Sequence, residues 1–141
     1  MAVLLCCAAG WYLAGLSWTV AIVTYPGFAS SSSGDWPKVH EFHSRRIAFA
    51  VGPMWAIEAI SCGWWLLRAP SGTLGLAITA SASAALTAAL TVLWAVPIHQ
   101  RLASGYDEHL ARSLRWAHAL RTAAWTVSAV AATVALGQQL S

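Results

Sequence analysis

The chain has 141 residues, of which 58% are hydrophobic and only 9% are charged, with a formal net charge of +3. A soluble domain would carry about 25% charged residues, so the composition argues against a soluble fold. A membrane-crossing helix needs about 20 mostly apolar residues, and four such stretches fit, at about residues 3–24, 47–67, 74–96 and 117–136. The sequence therefore predicts a single all-α domain: a multi-pass membrane four-helix bundle with up-and-down connections.

Proline and glycine mark the predicted helix ends. Helix 1 is expected to end at Tyr25-Pro-Gly, because proline lacks the N–H that would continue the helix. From Trp36 the chain is expected to run as a helix along the membrane interface before helix 2 begins. Gly52-Pro53 should kink helix 2, and Val96-Pro97 should end helix 3.

Basic residues gather in or beside the first and third connections. They are Lys38, Arg45, Arg46, Arg101, Arg112, Arg115 and Arg121. Loops rich in Lys and Arg stay in the cytoplasm, so we expect a cell-membrane protein with both charged connections cytoplasmic and both termini outside. Basic residues at a membrane surface favour anionic lipid as partner. We therefore predict the lipid bilayer as a partner and no nucleic acid, and a homo-oligomer stays possible.

The histidines lie at the same predicted end of the bundle. They are His40, His43, His99, His109 and His118. On a helix, residues i and i+3 such as His40 and His43 are neighbours and can hold one metal ion together. We predict no cofactor. The alternative is a metal ion (copper, iron or zinc) or a haem bound by His40, His43, His99 and His118.

Two further polar groups lie close to or inside apolar segments. Arg121 follows His118 by three residues at the start of helix 4, where an arginine must pair or reach toward water. Glu58 lies near the middle of helix 2, and a carboxylate there should face the protein interior. Both are candidates for chemistry, with Glu58 as a general acid or base; a structural hydrogen bond between helices is the other interpretation of Glu58.

Tryptophan is abundant, with nine in the chain. Trp18, Trp55, Trp94 and Trp125 each come from a different helix and fall in the half predicted to be cytoplasmic. Together they could form the walls of an apolar pocket for a flat lipophilic ligand. Ordinary helix packing explains them equally well.

Several short motifs in this order resemble a known family. They are Tyr25-Pro-Gly-Phe28, His40-x-x-His43-x-Arg45-Arg46, Gly52-Pro53 with Glu58, Val96-Pro97-x-His99-x-x-Leu102, and Arg121-Thr122-x-x-Trp125. The pattern covers nearly the whole chain and resembles the small four-helix membrane proteins grouped with the anthrone oxygenases. The resemblance implies a four-helix bundle and, in some relatives, oxidation of a polyketide-derived aromatic compound.

The sequence and the resemblance together predict a membrane enzyme for a small lipophilic substrate, aromatic or quinone-like. His43, His99 or His118 would remove a proton from an activated carbon, and Arg121 would stabilise the resulting negative oxygen. Oxidation or rearrangement would follow, with Glu58 orienting a ring hydroxyl or donating a proton. We expect the substrate to contact the four tryptophans above together with Tyr25 and Arg46. The alternatives are a metal or haem redox protein, and a non-enzymatic transport or assembly subunit.

Overall fold

The computed structural model describes residues 1–29 and 35–140. These residues form four long helices with short connections. Helix α1 comprises Ala2–Thr19, Val20–Thr24 and Tyr25–Ala29; α2 is Trp36–Arg68; α3 comprises Ser71–Thr73, Leu74–Leu90, Thr91–Ala95 and Val96–Leu102; α4 is Glu108–Leu140. Each of the four is long and apolar enough to cross a membrane. The prediction of an all-helical chain with four membrane-length helices is confirmed.

Two prolines that were expected to end helices do not. Helix α1 continues through Pro26, and α3 continues through Pro97. In each case one π-helical turn precedes the proline, at Val20–Thr24 and Thr91–Ala95. A proline removes one backbone donor and crowds the carbonyl four residues back. The wider π turn shifts the hydrogen-bond pattern at this point, so the helix continues.

The expected interfacial helix is not a separate element. Residues 36–46 form the first turns of α2, with no break before the apolar segment. Pro37 lies in the first turn, where its missing N–H would have no helical partner anyway. No glycine or further proline occurs until Gly52, so nothing in this stretch interrupts the helix.

Neighbouring helices are antiparallel and form a ring in which α1 and α3 each pack against α2 and α4. Between α2 and α3, His40 contacts His99 at one end, and the hydroxyl of Ser81 donates to the carbonyl of Cys62 toward the other. We call the end at which Trp36 Nε1 donates to the carbonyl of Leu102 (2.7 Å) the charged end. The opposite end is the alanine-rich end.

The alanine-rich end is closely packed by small side chains. A Cβ atom added to Gly10 of α1 would lie 3.2 Å from the Cα and Cβ of Ala129 in α4. Ala77, Ala80 and Ala132 are fully buried in the same part of the bundle. Small residues let helix backbones approach closely. This end therefore holds the four helices together and leaves the charged end to contain the cavity.

Helices α2 and α3 separate toward the charged end. The backbone of α2 lies close to Leu74–Leu90 of α3 but farther from Val96–Leu102, where the side chains of Trp36 and His40 bridge the wider gap. The π turn Thr91–Ala95 lies where the two helices part. A cavity lies in the space that this separation creates.

Candidate functional site

A cavity of about 400 Å³ lies between all four helices in the half of the bundle nearer the charged end. This volume falls within the usual range for small-molecule sites, about 300–1,000 Å³. Most of its wall is apolar, with Leu13, Leu16 and Val20 from α1 and Ile47 and Val51 from α2. Polar side chains are few, and they include the arginine and three of the histidines that the sequence singles out.

The structure brings seven of the predicted site residues to the wall of this cavity. They are Tyr25, His43, Trp55, His99, His118, Arg121 and Trp125. They come from all four helices, so the site exists only in the folded bundle. The two cavity tryptophans come from α2 and α4.

Three predicted ligand-contacting residues do not line the cavity. Trp18 is 51% exposed, because its neighbour Ser17 takes the inward position on α1. Trp94 is 36% exposed and donates its indole N–H to Ser113. Arg46 is exposed and stacks over the ring of Phe42. The expectation that each helix contributes one tryptophan wall is therefore not met for α1 and α3.

Arg121 is the polar centre of the cavity. Its Nη1 donates to Thr91 Oγ1 (3.1 Å), and its Nη2 donates to Nδ1 of His118 (3.1 Å). Its Nε is buried and has no hydrogen-bond partner among the described residues. Among residues 1–29 and 35–140, the arginine ion pairs are Arg45–Glu41 and Arg112–Glu108, and both are exposed. Arg121 is thus a half-buried cation that no described carboxylate neutralises.

His118 holds Arg121 in place. Its Nε2 lies 2.9 Å from the backbone carbonyl of Ser17 and must donate to it, since a carbonyl only accepts. Its Nδ1 is then the acceptor for Arg121. The ring also packs edge-on against Tyr25, with centroids 4.9 Å apart. Because both ring nitrogens are engaged, His118 has no nitrogen left in this geometry to accept a proton from a ligand.

His43 and His99 are the two histidines that face the cavity with ring nitrogens to spare. Nδ1 of His99 lies 3.1 Å from Nε2 of His40, and this bond leaves Nε2 of His99 for a ligand. His40 is buried behind it, against Trp36. The ring of His43 packs edge-on against Phe28, with centroids 5.0 Å apart. His43 can accept a proton from a molecule in the cavity, and so can His99 when its Nδ1 carries the hydrogen and donates to His40.

Glu58 acts on the cavity through a neighbour. The residue is fully buried, and its Oε2 accepts the indole N–H of Trp125 at 3.0 Å while Oε1 accepts the hydroxyl of Ser128 at 3.0 Å. Trp125 lines the cavity and Glu58 does not. The structure therefore places Glu58 as the residue that orients a wall of the site, without direct access to a ligand.

The sequence analysis missed four polar residues of the wall, which are Ser17, Ser44, Thr91 and Gln100. Ser44 lines the cavity, and its buried hydroxyl has no partner among the described residues. Thr91 accepts from Arg121, and Gln100 lies at the rim. The useful signals were weak: Ser44 directly follows His43, and Thr91 lies in the widened turn before Pro97.

The ligand set for a metal is incomplete. Within residues 1–29 and 35–140, no three His, Cys, Asp or Glu side chains form a group that could hold a metal ion. The contact between His40 and His99 is one of hydrogen-bond length between two rings. The metal alternative gains no support from these residues.

Comparisons with other proteins add no assignment. No protein-family model matches the chain, and neither curated proteins nor solved structures give a significant match. The case for a function therefore depends on the geometry of the cavity.

Proposed function

We propose that the protein is an integral membrane enzyme that acts in this cavity on a small, flat, lipophilic molecule, aromatic or quinone-like. One observation carries the proposal: the unneutralised guanidinium of Arg121 in the wall of an otherwise apolar cavity. A cation at membrane depth is costly, and such residues mark binding sites and reaction centres. A ligand with a negative oxygen supplies the missing charge.

The cavity walls favour a planar ring system. Trp55 and Trp125 contribute large aromatic surfaces, and the Glu58 carboxylate fixes the indole of Trp125. Aromatic side chains bind flat apolar ligands by stacked or edge-on contact. Arg121, His118 and Thr91 are joined by hydrogen bonds in the wall, so a ligand with one oxygen-bearing edge would place that edge against them.

The proposed chemistry begins with the loss of a proton. His43 or His99 takes a proton from a carbon beside a carbonyl group, and the electron pair of the broken C–H bond moves onto the carbonyl oxygen. Arg121, oriented by His118, donates to that negative oxygen. The same anion is the starting point for a rearrangement or for oxidation by dioxygen.

Anthrone illustrates the oxidation. Its central methylene group loses a proton to give a phenolate-like anion, and dioxygen then accepts the electrons. The balanced reaction converts anthrone and one dioxygen into anthraquinone and one water. Arg121 stabilises the anion in this scheme, and the apolar walls exclude bulk water.

A non-enzymatic role is less well supported. A transport or assembly subunit would be expected to lack an interior cavity and to turn Glu58 toward a second copy. Instead a cavity lies inside the bundle, and Glu58 is bonded to Trp125 and Ser128. For orientation we propose that the charged end faces the cytoplasm and both termini lie outside, following the distribution of Lys and Arg.

The test is turnover of anthrone in vesicles that contain the purified protein. Dioxygen uptake and the absorbance of anthraquinone are followed for the wild type and for Arg121→Gln. The matched control is Arg112→Gln, which changes an exposed arginine on the same helix. Losing one hydrogen-bond donor to a developing oxyanion lowers the rate by about 10²–10³-fold. The turnover rate of Arg121→Gln should therefore fall by that factor, and the rate of the control should stay at the wild-type level.

The proposal fails if wild-type protein oxidises anthrone no faster than protein-free vesicles and also binds no hydroxylated anthraquinone. Equal rates in the wild type and Arg121→Gln would remove Arg121 from the reaction. Replacing His43 and His99 singly by Gln then tells which ring takes the proton, since only the loss of the base should stop turnover while leaving ligand affinity intact.

A further inference from the structure

The cavity wall is closed on three sides and open on one. Among the residues that line it, those with well-exposed surfaces are Ala48 and Gly52 of α2 and Val96 and Gln100 of α3. The lining residues from α1 and α4 are buried or half-buried, including Leu13, Ser17 and Trp125. The opening therefore lies between α2 and α3.

The packing of the helices explains why the opening is on this side. Helix α1 packs closely against α2 and α4, and α3 packs closely against α4. Beyond the π turn Thr91–Ala95 the backbones of α2 and α3 lie farther apart, and the bond between His40 and His99 bridges the two helices nearer the charged end. The two residues of α2 at the rim are small and four apart, so they form a shallow notch on one helix face.

The surface around the opening is apolar and faces outward. Phe49 is 84% exposed beside Ala48, and Leu93 is 77% exposed near Val96. Gly52 lies near the middle of α2, about 24 Å along the helix from Trp36 at 1.5 Å per residue. Side chains of this type at this depth are suited to contact with lipid tails.

We infer that the gap between α2 and α3 is a lateral portal, lined by Ala48, Gly52 and Val96, through which the ligand reaches the cavity from within the bilayer. This inference rests on the proposed function and narrows its substrate class. The substrate is a molecule dissolved in the membrane and slim enough to pass between two helices. Its oxygen-bearing edge meets Arg121, which belongs to α4 and lines the cavity, with its Nη1 bonded to Thr91 of α3.

Gly52 is the residue whose size controls the portal. No heavy atom lies within 4 Å of a Cβ added to Gly52, so a side chain fits there without clashing with the fold. Gly63 offers a matched control on the same helix. It also has no heavy atom within 4 Å of an added Cβ, and a separation of about three helical turns puts it on nearly the same face of α2.

The experiment measures the capture of 2-hydroxyanthraquinone, a coloured and unreactive probe, by protein in lipid nanodiscs. Quenching of tryptophan fluorescence reports binding of the probe. The fraction of the quenching that disappears in the Arg121→Gln protein reports probe bound inside the cavity. Gly52→Phe should slow this Arg121-dependent quenching by about tenfold or more, whereas Gly63→Phe should keep the wild-type rate.

The possible outcomes separate a failure of the proposed function from a failure of the portal. No Arg121-dependent quenching in the wild type overturns the proposed function and the portal together. Normal quenching in the wild type with an unchanged rate in Gly52→Phe overturns the portal alone and indicates access from the aqueous charged end. If Gly52→Phe loses helical circular dichroism, Ala48→Phe takes its place: a slowed rate in a folded Ala48→Phe protein supports the portal, and an unchanged rate overturns it.

Discussion

The two ends of this bundle use the same four helices but pack them in opposite ways. At the alanine-rich end, Gly10 of α1 approaches Ala129 of α4 closely, and alanines fill the centre. At the charged end, the π turns before Pro26 and Pro97 interrupt the regular helices, and aromatic side chains replace alanine. One end is closely packed, and the other surrounds a cavity with an unneutralised arginine.

This difference shows how a small chain can contain a site at all. Close backbone contacts at one end fix the helices relative to one another. The cavity end then does not need to be filled to keep the bundle together. The widened turns place Val20 and Thr91 on the cavity wall, and Thr91 receives a hydrogen bond from Arg121. Changes at the two ends should therefore separate stability from ligand binding.

The largest effect on stability is expected where the two ends meet, at Glu58. Glu58→Leu removes the acceptor of two buried donors, on Trp125 and Ser128. Each unsatisfied donor costs about 1–3 kcal/mol. Glu58→Gln keeps one acceptor oxygen and should lose less. Unfolding in mixed detergent micelles compares the free energies of unfolding of the wild type and the two variants. A Glu58→Leu protein as stable as the wild type would show that the carboxylate does not stabilise the contact between α2 and α4.

The closely packed end should respond to added volume. Gly10→Leu forces α1 away from Ala129 and should destabilise the protein by about 1–3 kcal/mol. Gly15→Leu is the control, because no heavy atom lies within 4 Å of a Cβ added to Gly15 on the same helix. Both variants are compared in the same unfolding assay. Equal stability of the two variants would contradict the close contact between α1 and α4.

A smaller effect, on binding, is expected for His118. His118→Phe keeps a ring against Tyr25 but removes the acceptor that orients Arg121. We expect 2-hydroxyanthraquinone to bind about tenfold more weakly, a loss of about 1.4 kcal/mol. Unsubstituted anthraquinone should be less affected, which a general loss of structure would not produce. His109→Phe, at an exposed histidine of the same helix, should change neither affinity.

The smallest effects are expected for the tryptophans that face outward. Trp18→Phe and Trp94→Phe should change probe affinity by less than about 0.5 kcal/mol, as surface changes usually do. Trp55→Ala, in the cavity wall, should weaken binding clearly in the same titration. A large loss of affinity in Trp18→Phe would mean that the binding surface extends to the outside of α1.

Much of the fold followed from the sequence, because apolar stretches of membrane length are a strong local signal. The ends of the helices did not follow, since Pro26 and Pro97 are accommodated by π turns that a rule about proline does not reveal. The sorting of polar groups to one end was visible as well. Which face each side chain takes was not: Trp18 and Trp125 look alike in the sequence, and only packing turns Trp125 inward.

The roles of the site residues depended on contacts between helices. The sequence marks His118 as a possible base, but its bonds to Ser17 of α1 and to Arg121 occupy both nitrogens. The sequence places Glu58 in apolar surroundings, but its partner Trp125 lies in another helix. The absence of a described carboxylate beside Arg121 is likewise a property of the assembled bundle.

The most direct test of the central claim is a crystal structure with a brominated 2-hydroxyanthraquinone, with the bromine located by anomalous scattering. The account predicts a bromine peak inside the cavity between the four helices, with the ring against Trp55 and Trp125. The hydroxyl oxygen should lie about 3 Å from a nitrogen of Arg121. Bromine found only on the outer surface of the bundle, with Arg121 bonded to a carboxylate of the protein, would contradict it.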